Sequence, residues 1–338
     1  MDALRPFLSE HWSNYTRENG FRQPQAIEYS YPGWNPVFGG AEVTVESIQA
    51  NVLEQAAAAL VNCYYGLECI RNPYFAAALA TAVNSWMAAE WLDREPRLLA
   101  SIAVPIGDVE HAVAEIRRVA TSDRRFAQVY LPARAWDPYG NRRYWPIWEA
   151  AVEHNLTVGI HFGGVTGNPP TPVGPLAGYF DEYCSAGQLF QAHIVSMVCE
   201  GVFDRFPTLR VVLSESGVTW LPTLFWKIDT EWKSARREIP WVRRPPSEYI
   251  REHVRVTAQP LDIPPESGQE LRDVLDQLGG IDMLMFSSDY PHRHAVDLEP
   301  LHAQLTPEER QRFDHDNAAE VFRIEQRLAQ DHAASRPS

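Results

Sequence analysis

Phe286-Ser287-Ser288-Asp289-Tyr290-Pro291-His292 closes the apolar run 281–286 with two serines, an aspartate, a proline and a histidine. A buried parallel strand that delivers a carboxylate to the mouth of a barrel or an open sheet has this form. The same pattern recurs upstream. The run LTVGI at 156–160 ends in His161-Phe162-Gly163-Gly164, and LRVVL at 209–213 ends in Ser214-Glu215-Ser216-Gly217. Imidazole nitrogen and carboxylate oxygen both bind divalent ions, and both can carry a proton. His161, Glu215 and Asp289 at three strand ends therefore make a metal and acid–base constellation. Any one of them alone would read as a core or loop residue.

Strands and helices alternate on both sides of these tips. Residues 57–63 read as a strand. Asn72 then caps a helix with Pro73 at its first position, where a missing N–H costs nothing, and Phe75, Leu79, Val83, Trp86 and Met87 share one face of it. The next strand is 98–104, and Asp108 caps a helix with Val113, Ile116 and Val119 on one stripe. Strand 126–131, helix 145–153, the His161 strand and a helix spanning 193–203 follow. The Glu215 strand, a helix around 221–233, strand 254–257, a helix near 266–278 and the Asp289 strand continue the alternation. Thr306-Pro307-Glu308-Glu309 opens a final helix with a capping box. About seven strand–helix units of this kind predict a parallel sheet. Polar tips scattered along the whole chain favour a closed barrel, which gathers them on one face. No GxGxxG fingerprint follows any strand, so a nucleotide-binding open sheet has little support.

The 338 residues fit one barrel domain covering 1–338, and 45% hydrophobic with 11% aromatic residues is enough for a large core. A net charge of -14 disfavours nucleic acid and anionic membranes as partners, leaving a small-molecule substrate and, for assembly, a homodimer. The four cysteines form no CxxC pair, which argues against a zinc ribbon or disulfide scaffold and for the cytoplasm. No apolar run approaches the roughly 20 residues of a membrane span. Two stretches break the rhythm. The Gly- and Pro-rich segment 165–179 reads as a lid loop over the site, and the aromatic-rich segment 1–50 as a wrap around the barrel or a partner subunit.

Three strings carry a family likeness: IHFGG at 160–164, GVFDRFPTLRVVLSESGVTWLP at 201–222 and FSSDYPH at 286–292. With residues 94–101 and Asn317-Ala318-Ala319, they closely resemble the amidohydrolase-related family that includes aminocarboxymuconate-semialdehyde decarboxylase. The resemblance runs from about Leu4 to the end of the pattern. It implies a (β/α)8 TIM barrel of the metal-dependent hydrolase type, with one divalent metal, zinc, at the C-terminal face. Carried over, His161 matches the ligand after the fifth strand and Asp289 the ligand after the eighth. Glu215 falls where many decarboxylases of the family place an acid/base histidine. The family's His/Asp/Glu-x-His ligand pair on the first strand has no counterpart; His11 lies in a stretch that reads as helix. The expectation is a barrel lacking its first strand in this chain, through a late start or a natural truncation, with an incomplete metal site.

A metal-bound water loses its proton near neutral pH, Asp289 could hold the metal and take that proton, and Glu215 could shuttle one to a leaving group. A carboxylate at 215 would repel a substrate carboxylate, so the expectation leans to hydrolysis of a neutral ester, lactone or amide. The alternatives are non-oxidative decarboxylation of an aromatic or unsaturated acid, and a metal-free barrel acting as a binding protein. His292 is placed to line the pocket. Arg134, just past strand 126–131, suits a substrate anion, and Trp136 and Gln259 are further pocket walls. His193, on an amphipathic helix, reads as a satisfied core histidine.

Overall fold

A computed structural model describes residues 1–24, 43–63, 66–164, 171, 173–174, 176–262, 268–293 and 295–329. Two short helices, α1 (Glu10–Glu18) and α2 (Val45–Asn51), precede strand β1 (Ala59–Val61). Then come α3 (Pro73–Met87), β2 (Leu98–Ala103), α4 (Val109–Ser122), β3 (Phe126–Arg134), α5 (Trp145–Glu153) and β4 (Thr157–Gly164). α6 (Tyr179–Ser185), α7 (Gly187–Cys199) and α8 (Val202–Arg205) lead to β5 (Val211–Ser214). α9 (Trp220–Ala235), α10 (Pro246–His253), β6 (Val254–Thr257), α11 (Gly268–Leu278) and β7 (Leu284–Met285) follow. The described chain ends in α12 (Glu299–His302), α13 (Pro307–Gln311), α14 (Asn317–Phe322) and α15 (Ile324–Leu328).

The seven strands pair in sequence order, every pair parallel, in one curled sheet. Consecutive parallel pairing forces each crossover to one side, so all strand C-termini share one end. Among the described residues β1 and β7 have one strand neighbour each. β1 is half-buried along its length, whereas β2, β3 and β5 are buried throughout.

Strand alternation splits the core in two. Leu98, Ala100 and Ile102 of β2 join the large cluster formed with the helices, while Leu99 joins Ala127, Val212 and Met285 on the opposite face. Phe322 of α14, with Ala318, Val321, Ile324 and Leu328, fills that second face near the strand starts. Asn317 Nδ2 donates to Ile281 O at 3.0 Å, in the turn before β7, and to Leu284 O at 2.8 Å, on the outer edge of β7. Higher up, Ser101 Oγ donates to Asn62 Oδ1 at 2.6 Å, and Gln128 Nε2 to Ser101 Oγ at 2.9 Å. A Cβ at Gly159 would stand 2.3 Å from that glutamine amide, so the ladder needs glycine there.

The expected caps are present. Asn72 accepts from Tyr74 N and Phe75 N, Asp108 from His111 N, and Thr306 with Glu309 forms the capping box. Four expectations need correction. Residues 281–283 form a 3-10 turn, leaving only Leu284–Met285 as strand. The helix expected over 193–203 breaks at Gly201, whose φ of 75° separates α7 from α8. α10 has no counterpart in the sequence reading: two prolines open it and only eight residues carry its pattern. β3 runs on to Arg134, so that arginine sits inside the strand and pairs with Gly164 across a bulge.

Of the proposed wrap 1–50, residues 25–42 lie outside the described residues. Residues 1–24 pack on α3, with Trp12, Tyr15 and Phe21 around Phe75 at 5.0–5.2 Å. Residues 165–170, 172 and 175 of the expected lid also lie outside the described residues. No helix among those described is long and apolar enough to cross a membrane.

His193 is the core histidine that its helical position suggests. Its Nε2 donates to Ala133 O at 2.6 Å, its Nδ1 accepts from Tyr139 N at 3.2 Å, and its ring stacks on Tyr139. Burial lowers its pKa from 6.5 to about 4. An unfolded histidine takes a proton near 6.5, so this stabilisation is complete above that pH and lost as pH falls toward 4. We expect chemical denaturation to show lower stability at pH 5 than at pH 7, with the drop smaller in His193→Gln. An equal drop in both proteins would remove His193 as its source.

Candidate functional site

Parallel register builds the site from strand ends. β4 and β5 pair His161 with Ser214, which brings the next residue, Glu215, beside the imidazole. Glu215 adopts φ 60° and Asp289 φ 52°, two of four non-glycine residues with positive φ among the described residues. A left-handed backbone costs a non-glycine residue on the order of 1 kcal/mol and persists where the surroundings impose it, often at functional sites. Thr257, the last residue of β6, accepts the Glu215 N–H through Oγ1 at 3.2 Å, and Ser287 Oγ accepts the Gln259 N–H at 2.9 Å. These bonds tie the turns after β5 and β7 to β6.

His161 Nδ1 donates to the Phe162 carbonyl at 2.8 Å, which aims Nε2 at Glu215 Oε1, 3.0 Å away. Tyr183 of α6 donates its hydroxyl to Glu215 Oε2 at 3.1 Å. His292 Nδ1 donates to Asp289 Oδ1 at 2.9 Å and lies 4.0 Å from Glu215 Oε1. Burial opposes a charged His161, yet the Glu215 charge and hydrogen bond, the Phe162 carbonyl and the Asp289 charge raise its pKa to about 9. Burial likewise pushes Glu215 up, but His161, His292 and the Tyr183 hydroxyl bring it down to about 2. His292 is raised, chiefly by its hydrogen bond to Asp289. At neutral pH the centre thus holds a buried imidazolium–carboxylate pair.

The donor set suits a divalent cation. One ligand atom each from Glu215, Asp289 and His292 lies within 4.8 Å of the others. His161 has the arrangement of a metal-binding histidine, with one ring N–H on a carbonyl and the other nitrogen turned toward the cluster. Carboxylate oxygens and imidazole nitrogens together accommodate Mn2+ as well as Zn2+.

The sequence-predicted residues divide into two sets. His161, Glu215, Asp289 and His292 come together. The other three have partners elsewhere. Arg134 is buried, its Nε 3.7 Å from Glu182 Oε1 of α6. Gln259 has its side chain committed at both ends: Nε2 donates to Val296 O at 2.6 Å and Oε1 accepts from Val296 N at 2.9 Å. It is a clamp on the 296 loop rather than an open pocket wall. Trp136 lines a cavity of about 500 Å³ between the turns after β1, β2 and β3, with the Arg71 guanidinium 4.4 Å over its ring. None of that cavity's lining residues belongs to the His161 cluster. Sequence reasoning missed Tyr183, which has no motif around it and reaches the site only because α6 folds over the strand ends.

Residues 53–324 match the amidohydrolase family, designated Amidohydro_2. The chain belongs to that family. This is a family of metal-dependent hydrolases and carboxy-lyases, and the match bears out the sequence resemblance. A gamma-resorcylate decarboxylase of Polaromonas sp. (strain JS666 / ATCC BAA-500) is 24% identical over 72% of this chain and 76% of its own length. The crystal structure of a 5-carboxyvanillate decarboxylase from Sphingomonas paucimobilis superposes with a TM-score of 0.69 at 23% identity, covering 87% of this chain and 88% of that one. A dihydroxybenzoic acid decarboxylase from Polaromonas sp. JS666, solved with manganese and 2-nitroresorcinol, gives a TM-score of 0.64 at 20% identity over 84% and 86% of the two chains. At these identities the solved structures speak for the fold.

The His161–Glu215 pairing generates a direct test. In metal-free Glu215→Gln protein, the NMR titration midpoint of the His161 ring should drop by about one unit or more, since an opposite charge in contact shifts a pKa by that order. An unchanged midpoint would contradict the pairing.

Proposed function

We propose that this protein is a metal-dependent, non-oxidative decarboxylase of a small hydroxylated aromatic acid. The observation that carries this reading is the compensated Glu215. Its carboxylate counts against a substrate carboxylate only if its charge is bare, and here two imidazoles stand 3.0 and 4.0 Å from Oε1. The electrostatic case for hydrolysis of a neutral substrate thereby falls away. The decarboxylase names of the relatives support the same reading.

His161 and Asp289 would hold the cation, with His292 fixing the Asp289 carboxylate. When bound, the metal supplies positive charge that orients the substrate's carboxylate and adjacent phenol oxygen. A ring hydroxyl donates electron density to the carbon bearing the carboxylate, which makes that carbon able to accept a proton. Glu215 would deliver it. Burial favours the protonated form of Glu215, and the His161 imidazolium opposes this. On holding the cation His161 would give up its Nε2 proton, and Glu215 Oε1, 3.0 Å away, would receive it. That proton joins the ring carbon, the carbon–carbon bond breaks, its electron pair returns to the ring and carbon dioxide leaves. Tyr130, its ring centroid 5.6 Å from that of His161, and Phe162 supply aromatic surface beside the pair. Arg134 would meet the substrate's anionic group if α6 withdraws Glu182, and Trp136 would wall the outer cavity. We further infer the eight-stranded form of the barrel, with one more strand beside β1 and β7, and a cytoplasmic location suited to free thiols.

Incubating Mn2+- or Zn2+-loaded protein with 2,6-dihydroxybenzoate and related hydroxybenzoic acids should release carbon dioxide. Chelation should abolish the release, and His161→Ala or Asp289→Asn should lower it by roughly 100-fold or more. Hydrolysis of neutral lactones or esters, with no carbon dioxide from any acid, would overturn the proposal in favour of the hydrolase.

A further inference from the structure

The cavity of about 500 Å³ beside Trp136 stands apart from the strand-tip chemistry, since its lining shares no residue with the His161 cluster. It opens between the turns after β1, β2 and β3 and the starts of α3 and α4, and its size falls within the roughly 300–1,000 Å³ of small-molecule sites. The exposed Arg71 marks its mouth and the buried Glu68 its depth. Apolar groups of Leu67, Ile70, Pro73, Ala76 and Pro105 supply the remaining walls.

The charged groups of this cavity are unequally committed. Arg143 Nη1 donates to Asp137 Oδ2 at 2.9 Å, so each neutralises the other. Asp108 Oδ1 accepts the His111 N–H at 3.1 Å as the cap of α4. Arg71 differs. Its guanidinium stands 4.4 Å over the Trp136 ring, and among the described residues it makes no hydrogen bond or ion pair. The Trp136 indole N–H also lacks an acceptor among them. A guanidinium resting on an aromatic ring keeps its N–H groups in its own plane, where they match the two oxygens of a carboxylate. The stack thus holds ready a fork that no described residue fills. A cationic ligand would meet an indole face already covered by Arg71, with Asp108 and Asp137 already engaged. We propose that this cavity binds a small organic acid anion with a compact apolar body, the carboxylate on Arg71 and the body against Leu67, Ile70 and Pro73. Burial of the body adds hydrophobic contact, and Glu68 at the inner end repels a second negative charge. Binding here is separate from the strand tips and independent of the reaction at Glu215.

The test uses Zn2+-loaded protein carrying 15N in its tryptophan indoles, with the Trp136 resonance assigned by its absence from Trp136→Phe. Benzoate should move that resonance and saturate it. Phenol, which has the body without the charge, and acetate, which has the charge without the body, should need at least about tenfold higher concentrations. Arg71→Gln, a change at an exposed side chain, should weaken the benzoate response about tenfold or more. A resonance that stays still with benzoate overturns the proposal, as does an equal response to phenol or acetate, or an undiminished one in Arg71→Gln. His161→Ala should keep the response of the wild type; its loss there would assign the effect to the strand tips and overturn a separate site. Because the readout needs no turnover, a protein that releases no carbon dioxide yet shows this response would sink the functional reading and leave the anion site established.

Discussion

Parallel pairing of consecutive strands is the constraint from which the remaining architecture follows, because it sends every crossover the same way and collects all strand C-termini at one end. The register between β4 and β5 then does specific chemical work. By opposing His161 to Ser214 it leaves Glu215 one step beyond the ladder, against the imidazole, in a backbone conformation that a glutamate adopts only under compulsion. At the other end of the strands, α14 and α15 fill the sheet face that the crossover helices leave uncovered. Packing and chemistry are thus separated along the strand axis, with apolar closure near the starts and charged groups at the tips.

The electrostatics of the tips obey one rule. A buried charge is tolerable only when its partner is close and its remaining hydrogen-bonding capacity is used. Glu215 meets both conditions through His161 and Tyr183, and Asp289 is engaged by His292. Breaking either contact would leave a charge in a poorly solvated pocket. Because each partner is itself a group that can bind a cation or move a proton, the arrangement that makes the charges bearable also makes them reactive. The buried Arg134–Glu182 pair shows the contrast, since its two members lock α6 to β3.

Much of this was legible in the sequence. Seven strands, three helix caps and the shared end of His161, Glu215 and Asp289 follow from apolar runs, turn chemistry and strand-tip polarity, all local properties of the chain. Short or mixed signals failed. Residues 281–283 are apolar enough for a strand yet turn, Gly201 divides a helix that hydrophobic spacing would continue, and α10 is too brief to show a period. Gln259 looked like a pocket wall because it follows a strand. Only its folded neighbours reveal that its amide is spent on the backbone of Val296.

The charge at Glu215 marks the boundary between the two levels. Residue identities alone determined that carboxylates and imidazoles meet at the C-terminal end of a parallel sheet, since hydrophobic pattern fixes strand direction and strand direction fixes where the tips lie. They also suggested a bare glutamate hostile to an acid substrate. Tertiary structure shows that glutamate compensated instead, because charge depends on distances between residues far apart in the chain: His161 to Glu215, Glu215 to His292, and Tyr183 to Glu215. Those separations of 3.0, 4.0 and 3.1 Å exist only after β4, β5, β7 and α6 have packed together, and they set which groups carry protons.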